Sequence, residues 1–241
     1  MRDEGWLAET TYPGRGIIIG ASEGSGASGG FAVQVYWAMG RSDKSRNRVM
    51  VASGADEVRT ELAAPDPQVG DTSLILYRAM VRVGGLDVVS NGDQTETLVT
   101  GLAGEQTFAE LCQRMDVEPD PPNYTSRIAG VLDWQQRRYQ LGAVRTSSND
   151  PGDQVVHTAS YRALLPGRGH CITTYSGDGN PLPAFAGEPF RVGLGPDPEG
   201  IAQRYWGLLD ADNRVALAVK AVSLATGEAT LHLMNARGQA E

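Results

Sequence analysis

Residues 16–37 read GIIIGASEGSGASGGFAVQVYW, two apolar runs separated by a segment made mostly of glycine, serine and alanine. The first run, 16–20, is β-branched, bounded by glycines and too short for a helix, and the second run, 31–37, is mainly apolar and aromatic. Both runs therefore predict buried strands. Because residues 21–30 are too small and polar to form a core, they predict a hairpin tip that joins the two strands.

Outside this hairpin, the predicted strands come in runs with a few helices between them. Helices are predicted at 107–115, 198–209 and 126–132, and the first two have suitable N-capping side chains in Thr107 and Asp197. This order favours an α+β fold of packed layers with mostly antiparallel sheets. No repeat or linker interrupts the 241 residues, so a single domain is predicted. Further strands are predicted at 48–52, 74–83, 86–90, 139–145, 172–175, 215–222 and 229–234.

The composition narrows the class of protein. With 41% hydrophobic and 21% charged residues, the chain has the make-up of a globular protein and not of a disordered or coiled-coil one. Its net charge of −8 argues against a nucleic acid or a membrane surface as partner, because both present phosphate groups. The first residues lack the apolar core of an export signal, and Cys112 and Cys171 stand alone, without metal-binding spacing. We therefore expect a cytoplasmic protein with neither a metal site nor a disulfide framework.

Two familiar motifs overlap in the segment between the first two strands. Residues 24–29 fit the dinucleotide pattern GxGxxG, and residues 26–30 fit the nucleophile pattern GxSxG around Ser28. Each motif requires a helix directly after its glycines, whereas a strand is predicted from Phe31. The three histidines are scattered singly along the chain and suggest no triad with Ser28. These residues favour a plain glycine-rich turn.

Four polar clusters remain, at or near predicted strand ends. The cluster at 40–48 holds four cations in an otherwise acidic chain, and guanidinium groups suit bidentate hydrogen bonds to phosphate. The other clusters lie at 88–97, 123–130 and 173–180, and Glu118 precedes the second of these three. Taken singly, each is explained by a solvated turn or a helix cap. Together they would suit a nucleotide-sized polar pocket at a sheet edge.

Short motifs in and around these clusters occur in the order and approximate spacing of a known family. The series runs from about Tyr12 to Tyr175, and its most specific parts are 90–97 and 125–128. On these residues the chain resembles the archaeal-type inosine monophosphate (IMP) cyclohydrolases. The motifs are YPGRG at 12–16, YWAMGRS at 36–42, NR at 47–48, VSNGDQTET at 89–97, TSRIA at 125–129 and TY at 174–175.

The resemblance implies a four-layer αββα sandwich similar to the N-terminal-nucleophile hydrolase fold, without a self-processed nucleophile. Residue two is Arg2, not the Cys, Ser or Thr that such a nucleophile requires. The implied reaction is the dehydrative ring closure of formylaminoimidazole carboxamide ribonucleotide (FAICAR) to IMP in purine biosynthesis. It would need no cofactor and no metal. The implied ligand is a purine ribonucleotide, and the implied assembly is a homo-oligomer.

The resemblance also implies roles for individual residues. Glu118 would be the base or proton shuttle, and Tyr77 would present its hydroxyl near the formyl group. An amide nitrogen is a weak nucleophile and the formyl oxygen becomes an oxyanion, so such a site needs both a proton acceptor and hydrogen-bond donors. Arg41 and Arg48, helped by Arg15, would hold the 5′-phosphate. The remaining implied site residues are Asn47, Asn91, Thr95, Thr125, Arg127 and Thr174, with Asn91 counted among the catalytic groups.

Two other functions stay open on the sequence alone. One is a non-catalytic purine-nucleotide-binding regulatory protein that keeps the arginine grip on phosphate. The other is an amidase of the wider fold, against which the absence of a nucleophile at residue two counts strongly.

Overall fold

A computed structural model describes residues 2–24, 29–66, 72 and 74–238. The first of its two sheets is built around the hairpin that the sequence predicts. Hydrogen bonds join its six strands, all antiparallel, in the order β11-β10-β1-β2-β12-β13. These strands, numbered in chain order, are β1 (Gly16–Ala21), β2 (Phe31–Met39), β10 (Arg168–Thr173), β11 (Phe190–Gly193), β12 (Arg214–Ser223) and β13 (Ala229–Asn235).

The second sheet is a meander in which each strand pairs with the next one along the chain. It has seven strands, again all antiparallel, in the order β3-β4-β5-β6-β7-β8-β9. Short turns suffice for such neighbours, which is why this half of the sequence shows so many turn signals. The strands are β3 (Arg48–Ser53), β4 (Glu57–Leu62), β5 (Arg78–Val83), β6 (Leu86–Ser90), β7 (Arg127–Asp133), β8 (Arg138–Thr146) and β9 (Gln154–Tyr161).

Helices cover the outer face of each sheet. The helices α1 (Glu4–Glu9) and α5 (Pro198–Leu208) pack on the six-stranded sheet, and α3 (Gln94–Ala103) and α4 (Phe108–Cys112) pack on the seven-stranded sheet. The two inner faces contact each other through a core of branched and aromatic side chains. The layers are therefore α, β, β and α, which confirms the predicted α+β sandwich of mostly antiparallel sheets. The short helix α2 (Asp43–Arg46) lies in the loop between β2 and β3.

Most of the predicted elements are present. The first two strands pair as a hairpin, although residues 25–28 of its tip, including Ser28, lie outside the described part of the chain. Helix α5 begins at the predicted cap, where the Asp197 side chain accepts a hydrogen bond from the Gly200 amide. Helix α4 begins with the predicted capping box between Thr107 and Glu110 but ends at Cys112, sooner than expected.

The predicted helix at 126–132 is wrong, because Arg127–Asp133 forms the strand β7. This strand lies between β6 and β8 and is buried on both faces, so its apolar run carries no alternation that would distinguish a strand from a helix. Gly130 allows the close contact with the other sheet, since a Cβ atom there would lie 2.6 Å from Cδ1 of Ile19. The predicted strand at 74–83 begins only at Arg78. The helix α3 was not predicted, because the cluster at 88–97 shows an Asn-Gly turn signal first.

All four polar clusters meet at one end of the sandwich. Strands β2, β6 and β10 end there, and β1, β3 and β7 begin there. Antiparallel pairing brings these termini to the same edge of each sheet, and face-to-face packing brings the two edges together.

Candidate active site

A cavity of about 370 Å³ opens at this end of the sandwich. Its volume lies within the range of small-molecule sites, which is about 300 to 1,000 Å³. Four cationic and two acidic side chains line it, so it is locally positive although the chain is acidic. The charged lining residues are Arg15, Arg41, Lys44, Arg48, Glu118 and Asp120.

One wall of the cavity is the cationic loop that carries α2. Ser42 caps this helix, and the Ser42 and Ser45 hydroxyls both line the cavity. Arg48 is buried, and its guanidinium donates from Nε to the Ser45 carbonyl at 2.8 Å and from Nη2 to the Met39 carbonyl at 3.1 Å. These bonds hold Arg48 in one orientation against the end of β2. The buried Arg48 is thus fixed at the base of the loop, whereas residues 41–44 are exposed to solvent.

Arg41 lies at the mouth of the cavity and is partly exposed. Its Nη1 atom is 2.5 Å from a carboxylate oxygen of Asp178, and its guanidinium carbon lies 4.9 Å from the centre of the Tyr12 ring. Asp178 is itself about half exposed, so an entering anion has access to the pair. The aromatic contact and the ion pair together orient Arg41 toward the cavity that it lines.

The deep end of the cavity is a buried carboxylate between two arginines. Glu118, 3% exposed, accepts a hydrogen bond at Oε2 from Nη2 of Arg15 at 3.0 Å, and its Oε1 lies 2.9 Å from Nη1 of the same guanidinium. Nη1 of Arg127 lies 3.3 Å from Oε1 on the side away from the cavity. Burial raises the pKa of Glu118, and the two guanidinium groups act in the opposite direction. Arg15 also donates to the Asn91 carbonyl, which fixes the pair to the end of β6.

Phenol groups surround this ion pair. The Tyr36 and Tyr77 hydroxyls lie 2.5 Å apart, both buried, and both phenols act electrostatically on Arg15, as Tyr175 does. Burial raises the pKa of Tyr36 and of Tyr175. Both phenols therefore stay protonated at neutral pH and are able to donate hydrogen bonds.

Tyr175 ends a chain of hydroxyl contacts on the opposite wall. Its hydroxyl contacts Oγ1 of Thr125, which donates to a carboxylate oxygen of Asp120 at 2.5 Å. The Tyr175 ring stacks on Tyr12, with centroids 6.0 Å apart. The wall thus offers two aromatic rings and a network of fixed polar groups to whatever enters.

The other residues implied by the resemblance, Tyr77 among them, are not part of the cavity lining and bond to the protein itself. Asn47 clamps residue Ala64 through both its amide oxygen and its amide nitrogen, and Asn91 bonds the backbone of Ser126 and Ile128. The hydroxyl of Thr95 donates to the Gly92 carbonyl. Two more residues connect these groups to the cavity wall: Thr174 accepts from the Arg15 amide, and Arg127 bonds Gln94 and Asp93.

The cavity also contains residues to which the sequence analysis gave no role. Tyr12 and Tyr175 both stand in the quoted motifs. They are 163 positions apart in the chain, so the sequence does not show that their rings stack. Asp120 lies in a proline-rich stretch that predicts only a loop. The hydroxyl of Tyr36, on β2, contacts that of Tyr77, which directly precedes β5 of the other sheet. The hydrophobic periodicity of a sequence does not predict such contacts between sheets.

Two kinds of feature are absent from the described residues. No group of three or more His, Cys, Asp and Glu side chains within residues 2–24, 29–66, 72 and 74–238 could hold a metal ion. Over the same part of the chain, no helix has the length and apolar character that crossing a membrane requires.

Comparison with known protein families gives one match over most of the chain. A family model described as IMP cyclohydrolase-like protein matches residues 12–227, from the tyrosine at the cavity mouth to the turn after β12. This match extends past Tyr175, where the resemblance seen in the sequence motifs faded. No curated protein matches the chain significantly.

Proposed function

The chain belongs to the IMP cyclohydrolase-like protein family, and on that premise we propose that it converts FAICAR to IMP with loss of water. The family supports a cyclohydrolase type of activity on a purine nucleotide. The specific substrate and the direction of the reaction are our proposal. One observation carries it: a single cavity of nucleotide size joins a cationic loop at its mouth to a buried Glu118–Arg15 pair at its deep end.

The two ends of the cavity suit the two ends of the substrate. Arg41, Lys44 and Arg48 would take the 5′-phosphate at this wall of the cavity. Guanidinium groups bind phosphate oxygens through charge-assisted hydrogen bonds, which are stronger than neutral ones. The heterocycle with its two reactive arms would then extend toward Glu118. Tyr12 and Tyr175 offer aromatic faces beside this path.

The ring closure requires positioning first. The carboxamide nitrogen attacks the formyl carbon of the same molecule, forming a C–N bond and a tetrahedral carbon that bears a hydroxyl group. Loss of that hydroxyl with the proton of the former formamide nitrogen releases one water and leaves a C=N bond in the new ring. Holding both arms in the reactive orientation is worth about 7 to 11 kcal/mol in well-oriented intramolecular reactions.

The residues at the deep end would move the protons. Glu118 would accept the proton of the attacking carboxamide and pass it to the oxyanion, which becomes the hydroxyl group, and would then carry the proton of the former formamide nitrogen to that hydroxyl as it leaves as water. Burial raises the pKa of Glu118 toward the working range for such a role. Arg15, next to it, is a fixed positive charge for the oxyanion at the formyl oxygen. The Tyr77 hydroxyl, which contacts Tyr36 and acts electrostatically on Arg15, would support this charge from behind the cavity lining.

Incubation of the purified protein with synthetic FAICAR tests this proposal, with IMP followed by absorbance and identified by chromatography. We expect turnover far above the uncatalysed rate, lost in Glu118→Gln and kept in Glu96→Gln, which removes an exposed carboxylate paired with Arg78. Binding of IMP without turnover by the wild-type protein would overturn the enzymatic proposal. That outcome would favour the non-catalytic nucleotide-binding function.

A further inference from the structure

The opposite end of the sandwich has a second cavity, of about 380 Å³. It lies where β8 begins, β9 ends and β10 begins, at the open edge between the two sheets. Its lining contains three arginines, Arg162, Arg168 and Arg191, together with Tyr139, Tyr161 and His170. None of its lining residues also lines the candidate active site.

Strand register explains why Arg168, His170 and Arg191 face the gap between the sheets. His170 of β10 pairs directly with Arg191 of β11, and Arg168 precedes His170 by two positions, so all three side chains leave the same face of the sheet. The Nδ1 atom of His170 lies 2.6 Å from the hydroxyl of Tyr139, which belongs to the other sheet. The shared face is therefore the inner one.

Within the part of the chain that the structure describes, the arginines that line this cavity are not held in ion pairs. No acidic side chain lines it, and among the described residues Arg162, Arg168 and Arg191 form no ion pair within 4.0 Å. One acidic side chain is close: Glu188 acts electrostatically on Tyr161 and lines an adjacent cavity that shares His170 and Arg191 with this cleft. Glu188 contacts His157, with 3.3 Å between the carboxylate and the ring nitrogen, and the Glu23 side chain packs near Gly167. In a chain of net charge −8, three unpaired arginines around one cleft form a site that favours an anion.

Beside the arginines the cavity has an aromatic floor. The Tyr161 ring stacks on His170 with centroids 3.9 Å apart and on Tyr139 with centroids 4.6 Å apart. Leu165, at the rim, is 51% exposed. A rigid apolar surface next to cations suits a ligand that has both a phosphate group and a ring.

We propose that this cleft is a second binding site, for a phosphate-bearing small molecule of nucleoside monophosphate size. Arg168 and Arg191 would bind the phosphate, and the aromatic floor would contact the remainder. The two cavities lie at opposite ends of β10, separated by about 17 Å if the strand rises about 3.3 Å per residue between Arg168 and Thr173. The proposal does not rest on the proposed function, because it uses none of the same residues.

Nuclear magnetic resonance of the histidine rings tests this site separately from the active site. The chain has three histidines, and the signal that disappears in His170→Gln is that of His170. We expect adenosine monophosphate to shift that signal with saturation, and adenosine, which lacks the phosphate, to bind about tenfold more weakly or worse. Inorganic phosphate alone is expected to bind more weakly than the nucleotide, because it makes no contact with the aromatic floor.

Matched pairs of substitutions distinguish a built site from general attraction. Arg168→Ala with Arg191→Ala removes two exposed arginines of the cleft, and Arg59→Ala with Arg114→Ala removes two arginines elsewhere with the same change in net charge. We expect the first pair to weaken binding of adenosine monophosphate about tenfold or more, and the second pair to leave it unchanged. No saturable shift in the wild-type protein, equal binding of adenosine, or equal loss in both pairs would overturn the proposal.

Discussion

Glu118 and Arg15 meet side by side, with two N–O distances of 2.9 and 3.0 Å, in a place where neither side chain is more than about a tenth exposed. Glu118 lies in the loop between α4 and β7, and Arg15 directly precedes β1. The pair therefore joins two segments that lead into different sheets. The two contacts hold both groups in place, and Nη1 of Arg127 donates to Oε1 of Glu118 from the side away from the cavity. The pair is therefore an oriented carboxylate and an oriented cation at the end of a cavity.

Glu118→Gln tests the carboxylate. We expect kcat to fall by a factor of about 10² to 10⁴, the usual contribution of a positioned acid or base. The same change leaves two buried guanidinium groups without their counter-charge, so we also expect a loss of stability of about 3 to 5 kcal/mol, measured by urea unfolding. Kinetics at a temperature where the variant is folded separate the two effects. Full kcat in the folded variant would contradict the catalytic role.

Arg41→Ala tests the phosphate end of the cavity. Arg41 is exposed, so its removal should leave the fold intact and weaken substrate binding by about 1.5 to 3 kcal/mol, seen as a KM about ten- to a hundredfold higher. The matched control is Arg46→Ala, on the same loop, because Arg46 bonds Gly40 and Asn213 and does not line the cavity. A fall in kcat with unchanged KM would refute a phosphate-binding role for Arg41.

Tyr77→Phe tests the buried pair of phenols. The substitution removes the hydroxyl 2.5 Å from that of Tyr36 and keeps the ring, so we expect a lower kcat with little change in KM. The control is Tyr205→Phe. Tyr205 belongs to α5, and its hydroxyl donates to the Gly193 carbonyl at 2.6 Å. That variant should lose about 1 kcal/mol of stability and keep its kcat. Equal kinetic effects of the two variants would argue against a specific role for Tyr77.

His170 predicts how stability depends on pH. Burial, with the charge of Arg191, lowers its pKa to about 4, below the 6.5 of a free histidine. Between these values the unfolded chain binds more protons than the folded one, so stability contributed by the neutral ring falls as pH drops from 6.5 toward 4. The ring is only half buried, so we expect a loss of about 1 to 2 kcal/mol.

Urea unfolding at pH 7 and pH 4.5 measures this effect for His170→Gln against His232→Gln. The free energy of unfolding of His170→Gln should depend less on pH than that of the wild type, because the imidazole of His170 is gone. The second should follow the wild-type curve, and parallel curves for all three proteins would show that His170 does not couple protonation to folding.

The sequence by itself determined the class of fold and many of the positions at which helices begin and turns occur. Alternating turns and short apolar runs predict an antiparallel α+β protein, and the capping residues Thr107 and Asp197 predict where α4 and α5 begin. These signals are local, since a cap or a turn involves residues a few positions apart. The run at 126–132 was misread because burial on both faces removes the alternation that marks a strand.

Tertiary structure alone decided which polar residues share the cavity. The resemblance implied roles for Arg15 and Glu118 separately, but 103 positions of chain separate these two partners of the buried ion pair. Sequence patterns report neighbours along a helix or strand, whereas the pairing of the two sheets sets which strand ends meet. The same physical reason hid the arginines at the opposite end: Arg168 and Arg191 become neighbours only because β10 and β11 pair in one particular register.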